Sequence, residues 1–204
     1  MSMKCLYMGV WRPNDGGEAV ELVHQRELSS FNRFTRGSIQ EFLNLFVATA
    51  AKKTPPGKRV AIEEDKIPDY LIHTYNNSRG LCGVVVTNKE YPDFVVTGVL
   101  KKITDEFSTK HAASAISSAS ANSLPYPELK DYITQYQNPQ EADKILKIQH
   151  ELDTTKQVLH QTMESMLERG EKMDQLVAKS NDLSASSKMF YTQAKKQNSC
   201  CSVM

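Results

Sequence analysis

Between Ile145 and Gln197 apolar and small residues recur at alternating steps of three and four. The series runs Ile145, Ile148, Leu152, Thr155, Leu159, Thr162, Met166, then Arg169, and continues through Met173, Leu176, Ser180, Leu183, Ser187, Phe190, Ala194 and Gln197. This spacing predicts a coiled-coil seam, a helix burying one stripe against partner helices. One arginine interrupts it. A guanidinium at a core position needs acceptors on the facing helices, because a buried unpaired charge loses its hydration without compensation. Arg169 is therefore expected to form a polar layer that penalises every misaligned register. The seam is weak by itself. Thr155, Thr162, Ser180, Ser187 and Gln197 occupy core positions, and Gly170 costs about 1 kcal/mol relative to alanine. Alone, the segment is expected to be disordered or folded back on the rest of the chain.

Upstream the periodicity changes. Residues 3–11 read as a buried first strand, and Arg12 to Gly17 is dense in turn residues. A second strand is expected over 19–28. Ser38 reads as an N-cap with Glu41 completing a capping box, opening a helix from Ile39 to about Lys52 that stops before Thr54-Pro55-Pro56-Gly57. Strands are expected at 59–62, 70–75 and 81–87, the last two joined by the turn Asn76-Asn77-Ser78-Arg79-Gly80. Tyr91-Pro92 opens a second helix carrying Val95, Val99, Ile103 and Phe107, and 127–136 is a third. The alanine- and serine-rich run 112–123 reads as a flexible loop.

Two strands, a helix, three strands and two helices imply an α+β fold. On the first helix Ile39, Leu43, Phe46 and Ala50 form the core stripe, while Phe42 and Leu45 fall to one side. Those two are either the margin of a wide core face or a second apolar surface for a tail or helix from elsewhere in the chain.

Composition narrows the function. The 204 residues carry a net charge of +1, so no bulk attraction to nucleic acid or to anionic membrane is implied, and no nucleic-acid partner is expected. No secretory signal is visible, and no stretch reaches the roughly 18 apolar residues of a membrane span. Cytosolic synthesis is expected. Gly57-Lys58-Arg59 lacks the upstream glycine and downstream hydroxyl of a phosphate-binding loop, which argues against a GTPase. The five histidines are scattered without metal-ligand spacing, and Glu168 and Glu171 read as a solvated face. No catalytic constellation, metal site or cofactor is expected.

Cys5 and Cys82 sit in apolar strand-like runs, as buried free thiols do. Cys200 and Cys201 are different. Cys201-Ser202-Val203-Met204 fits a C-a-a-X box whose methionine favours farnesylation of Cys201. One lipid chain anchors only marginally, and Cys200 is placed to carry a second, a palmitate or another prenyl group.

Val158-Leu159-His160 and Met166-Leu167-Glu168-Arg169-Gly170-Glu171-Lys172 resemble the motif of the R-SNAREs, the synaptobrevin-like fusion proteins. The tail narrows the resemblance to the YKT-type longin SNAREs, which are lipidated and lack a membrane span. The resemblance implies a longin (profilin-like) domain over 1–137, a five-stranded, mainly antiparallel sheet with helices on both faces. It implies a SNARE coiled-coil motif over 138–198 and a lipidated tail over 199–204, with Ser202–Met204 removed and the new carboxyl methylated. It further implies a parallel four-helix bundle with three Q-SNARE helices whose glutamines accept from Arg169, driving membrane docking and fusion in vesicle transport. Partners would be SNARE assembly and disassembly factors and a prenyltransferase. The setting would be the cytoplasm and the cytosolic face of Golgi, endosomal, vacuolar or lysosomal, or vesicle membranes. An exposed farnesyl is unfavourable in water, so a closed form is expected, with the SNARE motif and prenyl group packed on the longin domain through Phe42 and Leu45. The rival readings are a prenylated longin adaptor or tether that binds helices without driving fusion, and a homodimeric coiled coil.

Overall fold

The computed structural model describes residues 4–138, apart from 15, 66, 68 and 78, and residues 158–200, the last seven by backbone alone. The sheet runs, from edge to edge, through β2 (Val20–Arg26), β1 (Cys5–Arg12), β5 (Cys82–Asn88), β4 (Tyr70–Asn76), β3 (Arg59–Glu63) and β6 (Val158–Thr162). Two strands lie at the centre because they are apolar on both faces: β1 (Cys5–Arg12) and β5 (Cys82–Asn88) are buried almost end to end. β2 (Val20–Arg26) pairs antiparallel outside β1, while β4 (Tyr70–Asn76) and β3 (Arg59–Glu63) continue antiparallel beyond β5.

Side chains alternate across this sheet and so feed two cores. Leu6, Ile72, Val84 and Val86 meet Leu43, Phe46, Val47 and Ala50 of α1 (Arg36–Lys53) on one face. Met8, Val10, Leu22 and Val85 meet α2 (Asp93–Lys110) and α4 (Glu128–Gln135) on the other, through Val99, Ile103, Phe107, Leu129 and Ile133. Gly83 permits the close approach of α2, since a Cβ there would lie 2.9 Å from Thr104 Cγ2. Gln137 stitches the end of this unit to β1: its Nε2 donates to the Cys5 carbonyl at 2.7 Å, and its Oε1 accepts from Cys5 N–H at 3.3 Å.

Three local expectations are corrected. α1 begins a turn earlier than Ser38, with Thr35 as its N-cap and no side-chain cap. The Asn32 carbonyl accepts from Thr35 and Arg36 N–H, so the preceding turn runs directly into the helix. The 112–123 run contains a helix, α3 (Ala113–Ser118). Its C-terminal carbonyls are satisfied by Arg12, whose Nη1 donates to Ile116, Ser117 and Ala119 oxygens at 2.6, 2.7 and 3.1 Å. The sheet has six strands rather than five, and the sixth comes from the seam.

That strand, β6 (Val158–Thr162), runs parallel to β3, covers its free edge and becomes the outermost strand. An edge strand presents a row of unpaired backbone groups, and a five-stranded sheet would leave β3 with one. After β6 the chain forms α5 (Met163–Met166), α6 (Met173–Lys179) and α7 (Ala185–Cys200) around the α1 face. The seam is folded back rather than drawn out as one helix.

Candidate functional site

The site is the contact between this folded-back segment and α1. β6 enters in fixed register, Arg59 against Val158 through Glu63 against Thr162. Thr162 then caps α5 in a reciprocal box: its Oγ1 accepts from Ser165 N–H at 3.2 Å, and Ser165 Oγ accepts from Thr162 N–H at 3.1 Å. The cap delivers Met163 into the α1 core, where it is fully buried.

The chain turns at Glu168–Glu171, with Gly170 at φ +94° and Arg169 exposed. Glycine is needed because that φ is strained for any L side chain. The two glutamates flanking Arg169 are not simply a solvated face. Lys53, in the last turn of α1, reaches Glu168 Oε1 at 2.7 Å and Glu171 Oε2 at 3.1 Å. The hydrogen bond to Glu168 raises the Lys53 pKa, while the backbone N–H of Glu168 and then Lys53 lower that of Glu171.

Beyond the turn Met173, Val177, Leu183 and Tyr191 are buried in the core that α1 lines, and Ser187 is buried as well. Ser184 caps α7, its Oγ accepting from Ser187 N–H at 3.2 Å, and its own N–H donates to Glu41 Oε2 at 2.7 Å. Glu41 thus binds the segment instead of capping its own helix, and this backbone hydrogen bond lowers its pKa. Tyr191 OH donates to Asp174 Oδ1 at 3.1 Å, tying α7 to α6.

Phe42 is the centre of the contact. It is buried, its ring 5.7 Å from Tyr191, 6.2 Å from Phe190 and 6.2 Å from Phe46. Leu45 is half-buried at the margin of the same core. Beside these rings lies a cavity of about 210 Å³ lined by Leu6, Phe31, Ile39, Phe42, Phe46, Phe190 and other chiefly apolar side chains.

The structure distributes the seam residues unequally. Met173, Leu183 and Ser187 are buried, and Met166, Leu176 and Ser180 half-buried. Leu159, Thr162, Arg169 and Phe190 are exposed. Ala194, Gln197 and Cys200 lie along the last turns of α7. Ile145, Ile148, Leu152, Thr155 and Cys201 fall outside the described residues. Lys53, Glu41, Met163, Val177 and Tyr191 were not anticipated by the seam. Their signal was available: Met163, Val177 and Tyr191 are apolar residues off the seam, which a bundle alone does not require. The thiols of Cys5 and Cys82 are buried and pushed up to about 12 by desolvation, so neither is poised as a nucleophile. Among the described residues no helix is long and apolar enough to cross a membrane.

Comparison with known proteins adds the following. A regulated-SNARE-like (longin) domain model matches residues 28–133, and a synaptobrevin model matches residues 144–202. The "Synaptobrevin homolog ykt6" of Schizosaccharomyces pombe is 51% identical over 86% of this chain and 87% of its own. The "Synaptobrevin homolog YKT6" of Candida glabrata is 46% identical over 99% of this chain and all of its own. The "VAMP-like protein YKT61" of Arabidopsis thaliana is 40% identical over 93% of this chain and 94% of its own.

Proposed function

Because the chain belongs to the family of Ykt6 synaptobrevin homologues, R-SNAREs of vesicle transport, we propose that its seam alternates between two partners. One is its own longin domain, in the closed form described above. The other is a set of three Q-SNARE helices, in a parallel bundle where Arg169 forms the central layer. SNAREs are a non-enzymatic class, and the work here is mechanical. Zippering toward the C-terminus draws membranes together if the tail is inserted.

The observation that carries this reading is the seat of Phe190 and Tyr191 on Phe42. The same stretch that a bundle must bury is half spent on α1, so bundle assembly and closure compete for it. Arg169 fits both roles. Solvated in the closed turn, it pays no desolvation, and only in a bundle does it need acceptors.

The tail completes the proposal. Cys201 carries a farnesyl group and Cys200 a palmitate or second prenyl group, the pair giving stable attachment where one chain would not. The apolar cavity beside Phe42 suits a prenyl chain in chemistry: its lining is mostly aromatic and aliphatic. Held there, the lipid would be shielded from water and the protein would stay cytosolic. Released, it would sit on the cytosolic face of Golgi, endosomal, vacuolar or vesicle membranes. Assembly and disassembly factors and a prenyltransferase are the further partners this cycle requires.

The test is Phe42→Glu in the full chain. A carboxylate placed among these rings finds no counter-charge among the residues lining the cavity, where the one charged side chain, Asp69, carries the same sign. The variant is expected to expose residues 158–193 to protease and to move the lipidated protein from cytosol to membrane. Unchanged protease sensitivity together with unchanged partitioning would remove the closed form from the account. Membrane association that survives Cys201→Ser would remove the tail assignment.

A further inference from the structure

Phe34 is 92% exposed, the most exposed large apolar side chain among the described residues. The backbone that presents it is well tied. Phe34 N–H donates to Asn32 Oδ1 at 3.0 Å, and the Asn32 carbonyl accepts from Thr35 and Arg36 N–H at 3.1 and 3.0 Å. The Arg36 guanidinium donates to the Ser29 and Phe31 carbonyls at 3.2 and 3.1 Å. The turn therefore holds an aromatic ring out in water at no gain to the fold. Beside it Arg33 is exposed, and Glu27, the acid preceding the turn, is engaged with Ser29 N–H at 2.9 Å. Three residues before the tip, Phe31 turns inward, its ring 6.0 Å from Tyr70, and lines the apolar cavity together with Ile39.

We infer that Phe34 and Arg33 form a membrane-contact tip that seats the mouth of the apolar cavity against an anionic bilayer. Around it in the chain Asn32, Arg33 and Gly37 are exposed and polar or bare, and Thr35 and Arg36 are half-buried and polar, so no second exposed apolar residue adjoins the ring in sequence. A protein interface needs an apolar centre within a contiguous patch of roughly 800 Å² per partner. A bilayer interface needs no such patch, because a single exposed aromatic ring can enter the apolar side of the headgroup region while a neighbouring cation stays with the anionic headgroups. The position fits the same partner. Phe31 and Ile39, on either side of the tip in the chain, line the cavity, so a tip seated on a bilayer would bring that apolar compartment toward the surface where apolar chains are soluble. Such a contact is weak alone and acts once the chain is already tethered.

The inference goes beyond the closed-form proposal and is tested without relying on natural lipidation. The full chain with Phe34→Trp is coupled through Cys200 and Cys201 to a maleimide-headgroup lipid in phosphatidylcholine vesicles, with or without phosphatidylserine. Cys5 and Cys82 are fully buried and do not compete for the reagent. The native Trp11 is also buried, so the parent chain supplies the background signal. The tip tryptophan is expected to shift to shorter wavelength on phosphatidylserine vesicles and to be quenched by spin-labelled lipid. Arg33→Glu is expected to reduce that quenching about fivefold or more. Both substitutions fall at exposed positions, and unchanged thermal melting confirms that the variants fold. A tip emission that ignores the vesicles, or one that shifts only on adding cytosolic protein, would overturn the inference. Neither result would bear on closure at Phe42.

Discussion

Arg169 is the residue for which two environments are proposed, one of them seen in the structure. In the closed form it lies exposed in a turn, its flanking glutamates held by Lys53. Replacing it with alanine is expected to leave the closed form within about 0.5 kcal/mol by urea unfolding, as for other exposed sites. The same substitution should abolish the ordered register of a complex with three Q-SNARE helices, measured by resistance to SDS. Both halves are needed, since loss of both properties would make Arg169 a folding residue instead. The seam exposed this arginine in the sequence because its neighbours kept the three-four alternation on either side. Lys53 was invisible there. It lies 115 residues from Glu168, and only the folded-back path brings the charges together.

At the scale of elements the informative stretch is β6 to α6. Val158–Thr162 satisfies the seam pattern as well as any other part, so its sequence argues helix; the strand arises from a ladder with β3 that local periodicity does not encode. The two cores were legible because strand alternation and the α1 and α2 stripes are local signals. The α3 helix was not, since its carbonyls depend on Arg12, over a hundred residues away. Gly170 sets the closed turn, in a segment proposed to run as one helix in the bundle. No atom lies within 4 Å of the place its Cβ would occupy, so its importance is purely one of backbone angle. Gly170→Ala is expected to strain the closed turn by about 1–2 kcal/mol and to favour a continuous helix by about 1 kcal/mol. The sum predicts a rise of tenfold or more in segment proteolysis, roughly 1.4 kcal/mol per factor of ten. A protected segment in this variant would mean that Gly170 does not govern the turn.

For the whole molecule, stability and closure are separable by pH. His73 is buried, its Nε2 3.1 Å from Thr87 Oγ1, and desolvation lowers its pKa to about 4. The unfolded chain therefore binds a proton near pH 6.5 that the folded chain refuses. Stability from this group is complete above 6.5 and is lost as pH falls toward 4, amounting to about 2 kcal/mol at pH 5. Urea midpoints should fall between pH 7.5 and 5, and His73→Gln should flatten that slope. Closure depends on other groups: the lowered pKa values of Glu41 and Glu171 keep their bonds intact until pH drops below the ordinary glutamate range. Segment protection should accordingly persist at pH 5, where the domain is already weakened.

If α1 and the Q-SNARE helices compete for one segment, as proposed, the rate of bundle assembly measures that competition directly. Full-length chain and its Phe42→Glu variant are mixed with three soluble Q-SNARE helices and followed by fluorescence transfer. Truncating a buried phenylalanine costs about 3–5 kcal/mol where packing is complete, so even partial loss at this contact should accelerate assembly at least about tenfold. Arg169 should be required for the product in both chains. Equal assembly rates for the two chains would contradict the account.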